Sequence, residues 1–196
     1  MTAGQIEFDI RANIIERIAI QQRLLADDSL IETIGTVGKV MAGALRHGRK
    51  LFFMGNGGSA ADAQHLAAEF TGRYRVERKP LPAIALTVNT SSLTAIANDY
   101  SFDVVFARQL AALGSQGDVA IGFSTSGVSA NILEAMVAAR SKSLVTVGVT
   151  GELGGLLKSK VDYCLCVPSR ATPAIQESHI MIGHLLCEIV EAELFA

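Results

Sequence analysis

Five short apolar runs, each cut off by Gly, Asn, Ser or Pro, constrain the fold of this chain more than any other feature. They are Leu51–Met54, Ala83–Val88, Val119–Phe123, Leu144–Val149 and Tyr163–Val167. None alternates polar with apolar residues. A strand that is apolar on both faces has to be covered on both faces, which is the pattern of a parallel sheet. Helical sequence follows most of the runs. The expected architecture is therefore α/β: a three-layer α-β-α sandwich around a roughly five-stranded parallel sheet, of the flavodoxin or Rossmann-like kind.

Two helical patterns precede the first run. Ile10, Ile14, Ile18 and Leu25 fall on one stripe at helical spacing. Ser29 opens a second helix, with Glu32 three residues on as in a capping box, and Gly48 closes it. A chain of 196 residues suits one domain, here residues 1–196 with a helical extension over the first 48 or so. The last helix runs from Pro173 to Phe195, and Ile175, Ile180, Met181, Ile182, Leu185, Leu186, Ile189 and Val190 make it apolar around most of its circumference. One small domain seldom covers such a helix on every side, so oligomerisation through helices is expected.

Composition excludes several classes of function. With 49% hydrophobic residues the chain buries enough surface to offset the entropy of ordering. Its 17 basic and 19 acidic residues give a net charge of −2, with no bias toward nucleic acid or an anionic membrane. No apolar run reaches the roughly 18 residues of a membrane span. Met1 to Arg11 carry Glu7 and Asp9 and lack the basic-then-apolar order of a signal peptide, so a cytoplasmic protein is expected. The cysteine count is odd, and Cys164 and Cys166 share one face of a strand without forming a CxxC pair. All three thiols, Cys187 included, are read as reduced core residues.

Ligands of open parallel sheets sit beyond the carboxyl ends of the strands, and two such ends stand out. The first reads Gly55-Asn56-Gly57-Gly58-Ser59-Ala60-Ala61-Asp62, where Ser59 and Asp62 are spaced as a capping box. The second reads Ser124-Thr125-Ser126-Gly127-Val128-Ser129, four hydroxyls in six residues before a helix over Asn131–Arg140. Hydroxyls and free amides at a helix N-terminus make a neutral phosphate cradle that needs no lysine. A P-loop is absent. Gly55-x-Gly57-x-x-Ala60 fits a relaxed dinucleotide fingerprint, but the second strand ends Val88-Asn89-Thr90 with no acid to hold a ribose diol.

Polar side chains gather on two helices. His65 and Glu69 are four apart on one face and suit one metal ion or one proton-transfer network. Gln176, Glu177, His179 and His184 lie on the last helix; His47 and His179 are read as a surface and a satisfied core histidine. Glu177 lies about 20° from His184 around the helix axis and Gln176 about 80°, so spacing alone favours Glu177 as the partner. A metal-free cluster in which Glu69 bonds a histidine is the alternative to a metal site.

These segments together resemble the phosphoheptose isomerases, within the sugar isomerase (SIS) domain family. The matching stretches are Gly55–Phe70, Leu93–Gln109, Gly122–Leu133 and Ile175–Glu191, and GNGGSAADAQH is the most specific string among them. The resemblance implies an SIS-type fold and conversion of sedoheptulose 7-phosphate to D-glycero-D-manno-heptose 7-phosphate, an early step in heptose supply for lipopolysaccharide and other surface polysaccharide. It implies that Asn56, Gly57, Gly58, Asn98, Asp99 and Gln176 contact substrate and that Ser124, Thr125, Ser126 and Ser129 hold its phosphate. It also implies that His65, Glu69, Gln176 and His184 bind one zinc ion per subunit, with Glu69 and His184 as the acid/base pair and Glu69 touching substrate. A cytoplasmic homotetramer with sites between subunits completes the expectation.

Two positions depart from the family pattern: Ala171 and Asn89 stand where many members have Asp. A related class binds the bacterial replication initiator without catalysis and lacks the equivalents of Glu69, Ser126 and His184. All three are present here, which favours the enzyme.

Overall fold

The computed structural model describes the backbone of residues 3–196 and the side chains from Ile10 onward, so Met1, Thr2 and the side chains of Glu7 and Asp9 lie outside the described residues. Five parallel strands form one sheet: β1 (Leu51–Met54), β2 (Ala83–Ala85), β3 (Val119–Ser124), β4 (Val145–Thr150) and β5 (Tyr163–Cys166). Their spatial order is β2-β1-β3-β4-β5. The second apolar run was expected to extend to Val88; only its first half pairs, and Leu86 already donates to Phe53 O as the chain turns away.

Among the described residues seven α-helices surround the sheet: α1 (Ala3–Leu25), α2 (Asp28–Arg46), α3 (Gly58–Thr71), α4 (Thr90–Asp99), α5 (Val105–Leu113), α6 (Ala130–Ser141) and α7 (Thr172–Phe195). Side chains alternate across the pleat. Leu51 and Phe53 enter one core with Ile20 and Leu24 of α1, Met41 of α2, Leu66 and Phe70 of α3 and Ile182 of α7. Phe52 and Met54 enter the other, against Leu110 of α5 and Ile132 and Met136 of α6. The expected three layers are therefore present, with two separate cores. Among the described residues no helix is long and apolar enough to cross a membrane.

Several local expectations are corrected. Helix α2 is capped by Asp27, whose carboxylate accepts from Leu30 N at 3.0 Å, so Ser29 and Glu32 lie inside the helix. The α3 cap is Gly57, with no side-chain bond, so Ser59 and Asp62 form no capping box. Helix α7 is largely covered within the chain by α1, α2 and α3, which answers part of the apolar excess read from its sequence. The apolar stripe of α1 is not part of the core: Ile10, Ile14, Ile18 and Leu25 are 52–73% exposed, while Ile20 and Leu24 face inward.

His179 was read as a satisfied core residue. It is fully buried against Phe123, but neither ring nitrogen has a partner, and the nearby Thr150 Oγ1 is likewise unpaired. Burial pushes its pKa down to about 4; the Thr150 backbone opposes this without reaching hydrogen-bond geometry. The folded state holds the ring neutral while the unfolded chain takes up a proton near pH 6.5. Stability linked to this residue is thus intact above pH 6.5 and is lost as pH falls from 6.5 toward 4, amounting to about 3 kcal/mol. Urea unfolding across this window should show that loss, and His179→Leu should flatten it; an equally steep acid limb in the variant would reject the assignment.

Candidate active site

The two ligand loops follow β1 and β3, which are neighbours in the sheet, and their helices leave to opposite faces: α3 joins the first core and α6 the second. This is the switch point of an open parallel sheet, where a crevice must form. Across it Asn56 Nδ2 donates to Asn131 Oδ1 at 2.9 Å and Asn131 Nδ2 donates to Asn56 Oδ1 at 2.8 Å. Asn131 is buried, and this reciprocal pair ties the loops together. At Gly57 the chain turns with φ +57, a conformation that suits glycine and starts α3 directly at the crevice.

In the second loop Ser124 Oγ lies 2.9 Å from Ser129 Oγ and accepts from Gly127 N at 3.1 Å. Ser126 is exposed, and Val128 N donates to its hydroxyl at 3.3 Å. Ser129 occupies the N-cap of α6 without making a capping bond, which leaves the first amides of that helix open. A cleft of about 270 Å³ lies between this loop and the start of α7, lined by Thr125, Ser126, Gly151, Glu152, Ser169 and Arg170 among others. Arg170 pairs with Glu152 at 3.3 Å on its rim. The loop itself carries no cation, but the cleft does.

Helices α3 and α7 meet where Gly183 lies so close to Leu66 that a Cβ would press into it. That approach sets His184 beside His65. The two Nε2 atoms are 2.9 Å apart, one donating to the other according to tautomer, and His65 Nε2 lies 3.3 Å from Glu69 Oε1. His65, Glu69 and His184 thus converge within 4.8 Å. Ligand atoms on a tetrahedral zinc with bonds of 2.0–2.1 Å stand about 3.3 Å apart, so these residues fit such an ion.

Gln176 lays its amide over Gly58 at the first turn of α3, while Glu177 turns outward to pair with Arg17 of α1 at 3.1 Å. The preference for Glu177 drawn from spacing is therefore wrong. Asp62 is half-buried; burial raises its pKa to about 6, the nearby His65 opposes the shift, and its Oδ2 has no partner. Asn98 and Asp99 do not join the cluster. They bond each other at 2.8 Å at the exposed end of α4, which packs chiefly on α5 and the 3-10 turn Phe102–Val104.

The sequence reading missed a support for His184. The Tyr74 ring stacks on the His184 ring with centroids 5.6 Å apart, and its hydroxyl lies 3.5 Å from Glu188. The Tyr74 loop is held by Glu191 of α7. Its carboxylate accepts from Tyr74, Arg75 and Val76 N–H and from Arg78 Nε at 2.8 Å. Burial pushes Glu191 up, yet the Arg75 amide, the Arg78 side chain and the other amides together outweigh it and hold the carboxyl below its usual value. Arg78 in turn donates to Glu69 O and Phe70 O of α3. Only an odd buried glutamate on an apolar helix face could have signalled this clamp.

The fold and site define a sugar isomerase (SIS) domain, and residues 17–151 match the SIS domain model. The chain is 50% identical over 186 residues, 95% of each sequence, to a phosphoheptose isomerase of Clostridium acetobutylicum, and 61% identical over 150 residues, 76% of each, to one of Roseiflexus. A solved phosphoheptose isomerase from Neisseria gonorrhoeae superposes with a TM-score of 0.90 at 41% identity, covering 95% of this chain and 99% of that one. The chain therefore belongs to the phosphoheptose isomerase family, and it is an enzyme of the isomerase class.

Glu191→Gln removes one partner of a buried ion pair. It should cost about 3 kcal/mol in urea unfolding and speed hydrogen exchange at the Tyr74, Arg75 and Val76 amides; unchanged exchange there would show that the loop is held otherwise.

Proposed function

We propose that this chain interconverts sedoheptulose 7-phosphate and D-glycero-D-manno-heptose 7-phosphate, supplying heptose for ADP- or GDP-linked intermediates of surface polysaccharide in the cytoplasm. The observation that carries the reading is the convergence of His65, Glu69 and His184 beside two phosphate-type loops. The chain acts as one SIS domain, residues 1–196, with its helical extension over the first 48 or so. The substrate phosphate sits on Ser124, Thr125, Ser126, Ser129 and the open amides of α6. Its sugar hydroxyls meet Asn56, Gly57, Gly58 and Gln176.

The reaction moves one proton between adjacent carbons through an enediol. Glu69 takes the proton from one carbon and returns it to the next, and His184 passes a proton between the two oxygens. Tyr74 holds the His184 ring in place. Gln176 lies over Gly58 at the crevice; His65, Glu69 and His184, with Gln176 as the fourth donor that the family resemblance implies, would hold one zinc ion per subunit. When bound, zinc polarises the sugar carbonyl and steadies charge on its oxygen.

Asn98 and Asp99 contact substrate from a second copy of the chain, because their own subunit leaves them outside the crevice. The exposed isoleucines of α1 and the exposed Val88, Tyr100 and Phe102 around α4 suit burial in a homotetramer.

The assay is direct. Zinc-loaded protein should convert either heptose phosphate into the other, chelation should abolish this, zinc should restore it, and His65→Gln should prevent restoration. No interconversion by zinc-loaded protein would overturn the function, and full activity after exhaustive chelation would overturn the metal role. Ser126→Ala removes one hydrogen bond to a charged group, so the Kd for sugar phosphate should rise about tenfold with the fold intact; an unchanged Kd would move the cradle elsewhere.

A further inference from the structure

Cys164 and Cys166 were read as reduced core thiols; both are free thiols, but neither belongs to a core. They lie on β5, the edge strand of the sheet, half-buried, and their Sγ atoms are 3.7 Å apart. Cys187, by contrast, is buried, and burial pushes its pKa up to about 12. The two sulfurs open on a cleft of about 150 Å³ that also holds Asp27, Ser29, Thr33 and Lys158. We propose that Cys164 and Cys166 are a redox pair that a peroxide closes, reversibly, into a disulfide within one chain, and that closure loosens the Ser124–Ser129 loop.

The surroundings select oxidation over cation binding. Lys158 brings positive charge to the cleft, favouring thiolate and disfavouring a metal ion. The hydrogen bond from the Cys164 thiol and the Lys158 charge bring Cys166 down to about 7, against burial and Asp27, while the Cys164 thiol is pushed up. One sulfur is thus the nucleophile and the other stays protonated within reach to resolve it. The Cys166 thiolate attacks a peroxide oxygen and displaces hydroxide, becoming a sulfenic acid. The Cys164 sulfur then attacks Cys166 sulfur, its proton leaves with the sulfenic hydroxyl as water, and the first hydroxide takes the proton Cys166 had released. Two thiols and one hydrogen peroxide give one disulfide and two waters.

Reversibility follows from strand geometry. Residues two apart on a strand have Cα atoms about 6.6 Å apart and side chains that project in parallel, so closure must bend the edge strand to bring the Cβ atoms to about 3.5–4.5 Å. Such a bond is strained and readily reduced.

The coupling runs through Gly154. A side chain there would touch Cys166 Sγ at 3.4 Å, and Gly154 O lies where a side chain on Gly127 would be. Leu157 N also donates to Gly127 O at 2.9 Å. The segment 154–157 therefore stands between the sulfur pair and the turn of the loop, and moving Cys166 Sγ toward Cys164 opens space beside Gly154 into which the segment can shift. The functional weight of this coupling rests on the phosphate reading of the loop; the thiol chemistry does not.

Reduced full-length protein treated with hydrogen peroxide should lose two of its three thiols and the mass of two hydrogens, and recover both with dithiothreitol. Cys164→Ser should leave Cys166 as a sulfenic acid that dimedone traps, and Cys166→Ser should not react. Both reduced variants should keep isomerase activity. The Leu157 amide should exchange at least about tenfold faster in the oxidised protein. Loss of Cys187, a disulfide between chains, or overoxidation without a disulfide would overturn the redox pair. A disulfide that leaves Leu157 exchange unchanged would overturn the coupling while the isomerase assay stands.

Discussion

The site depends on one topological fact: β1 and β3 are hydrogen-bonded neighbours, yet the chain leaves them toward opposite faces of the sheet. Strands that part in this way cannot close the space between their following loops. The reciprocal amide pair of Asn56 and Asn131 bridges that gap and fixes its width. Each amide meets the donor and acceptor of the other, so the pair is satisfied away from water and holds one register. A smaller residue at either position would leave a buried amide unpaired, at about 1–3 kcal/mol.

The acid/base cluster needs a second constraint, since α3 and α7 are far apart in sequence and approach only because Gly183 admits Leu66. The Arg78–Glu191 pair, at 2% and 5% side-chain exposure, then reaches from α7 to the last carbonyls of α3 through a loop that neither helix controls alone. A buried ion pair contributes little net stability, because desolvation offsets its attraction. Its worth here is positional: it places Tyr74 on His184.

The sheet was legible in the sequence because a parallel strand is apolar on both faces, so Phe52 and Phe53 both have a core to enter. The two loops were legible because Gly and Ser are the residues such turns require. Caps and partners were not. Asp27 rather than Ser29 caps α2, which shifts the helix start without disturbing the apolar pattern that locates the helix. Glu177 against Gln176 was decided by Arg17, 160 residues away, and no rotation angle on α7 contains that contact. Asn131 and Tyr74 carry no local signature, and Glu191 shows only as a charge on an apolar face, since their partners lie across long separations in sequence. The α1 stripe shows the converse: periodicity found the helix but could not say which face meets its own core.

The capping pattern of the helices reads as one choice. Helices α2 and α4 are capped by Asp27 and Asn89, and Asn89 Oδ1 accepts from Ser92 N at 3.0 Å as a carboxylate would. Helix α5 grows out of the 3-10 turn Phe102–Val104. Helices α3, α6 and α7, whose first turns border the crevice or the cleft beside it, have Gly57, Ser129 and Ala171 at their N-caps and no side-chain cap at any of them. The missing cap at Ala171 forgoes about 1 kcal/mol of helix stability, and that at Gly57 about a few tenths. Ser129 could supply one and spends its hydroxyl on Ser124 instead. Ala171 has no side chain that could cap α7; its own N–H is met by Ser169 Oγ, and with Pro173 in the first turn the amides of Thr172 and Ala174 are the donors at that end. A capping carboxylate would occupy those donors and repel an anion, so uncapped ends concentrate positive potential where a dianionic ligand would sit, in a loop that has no lysine.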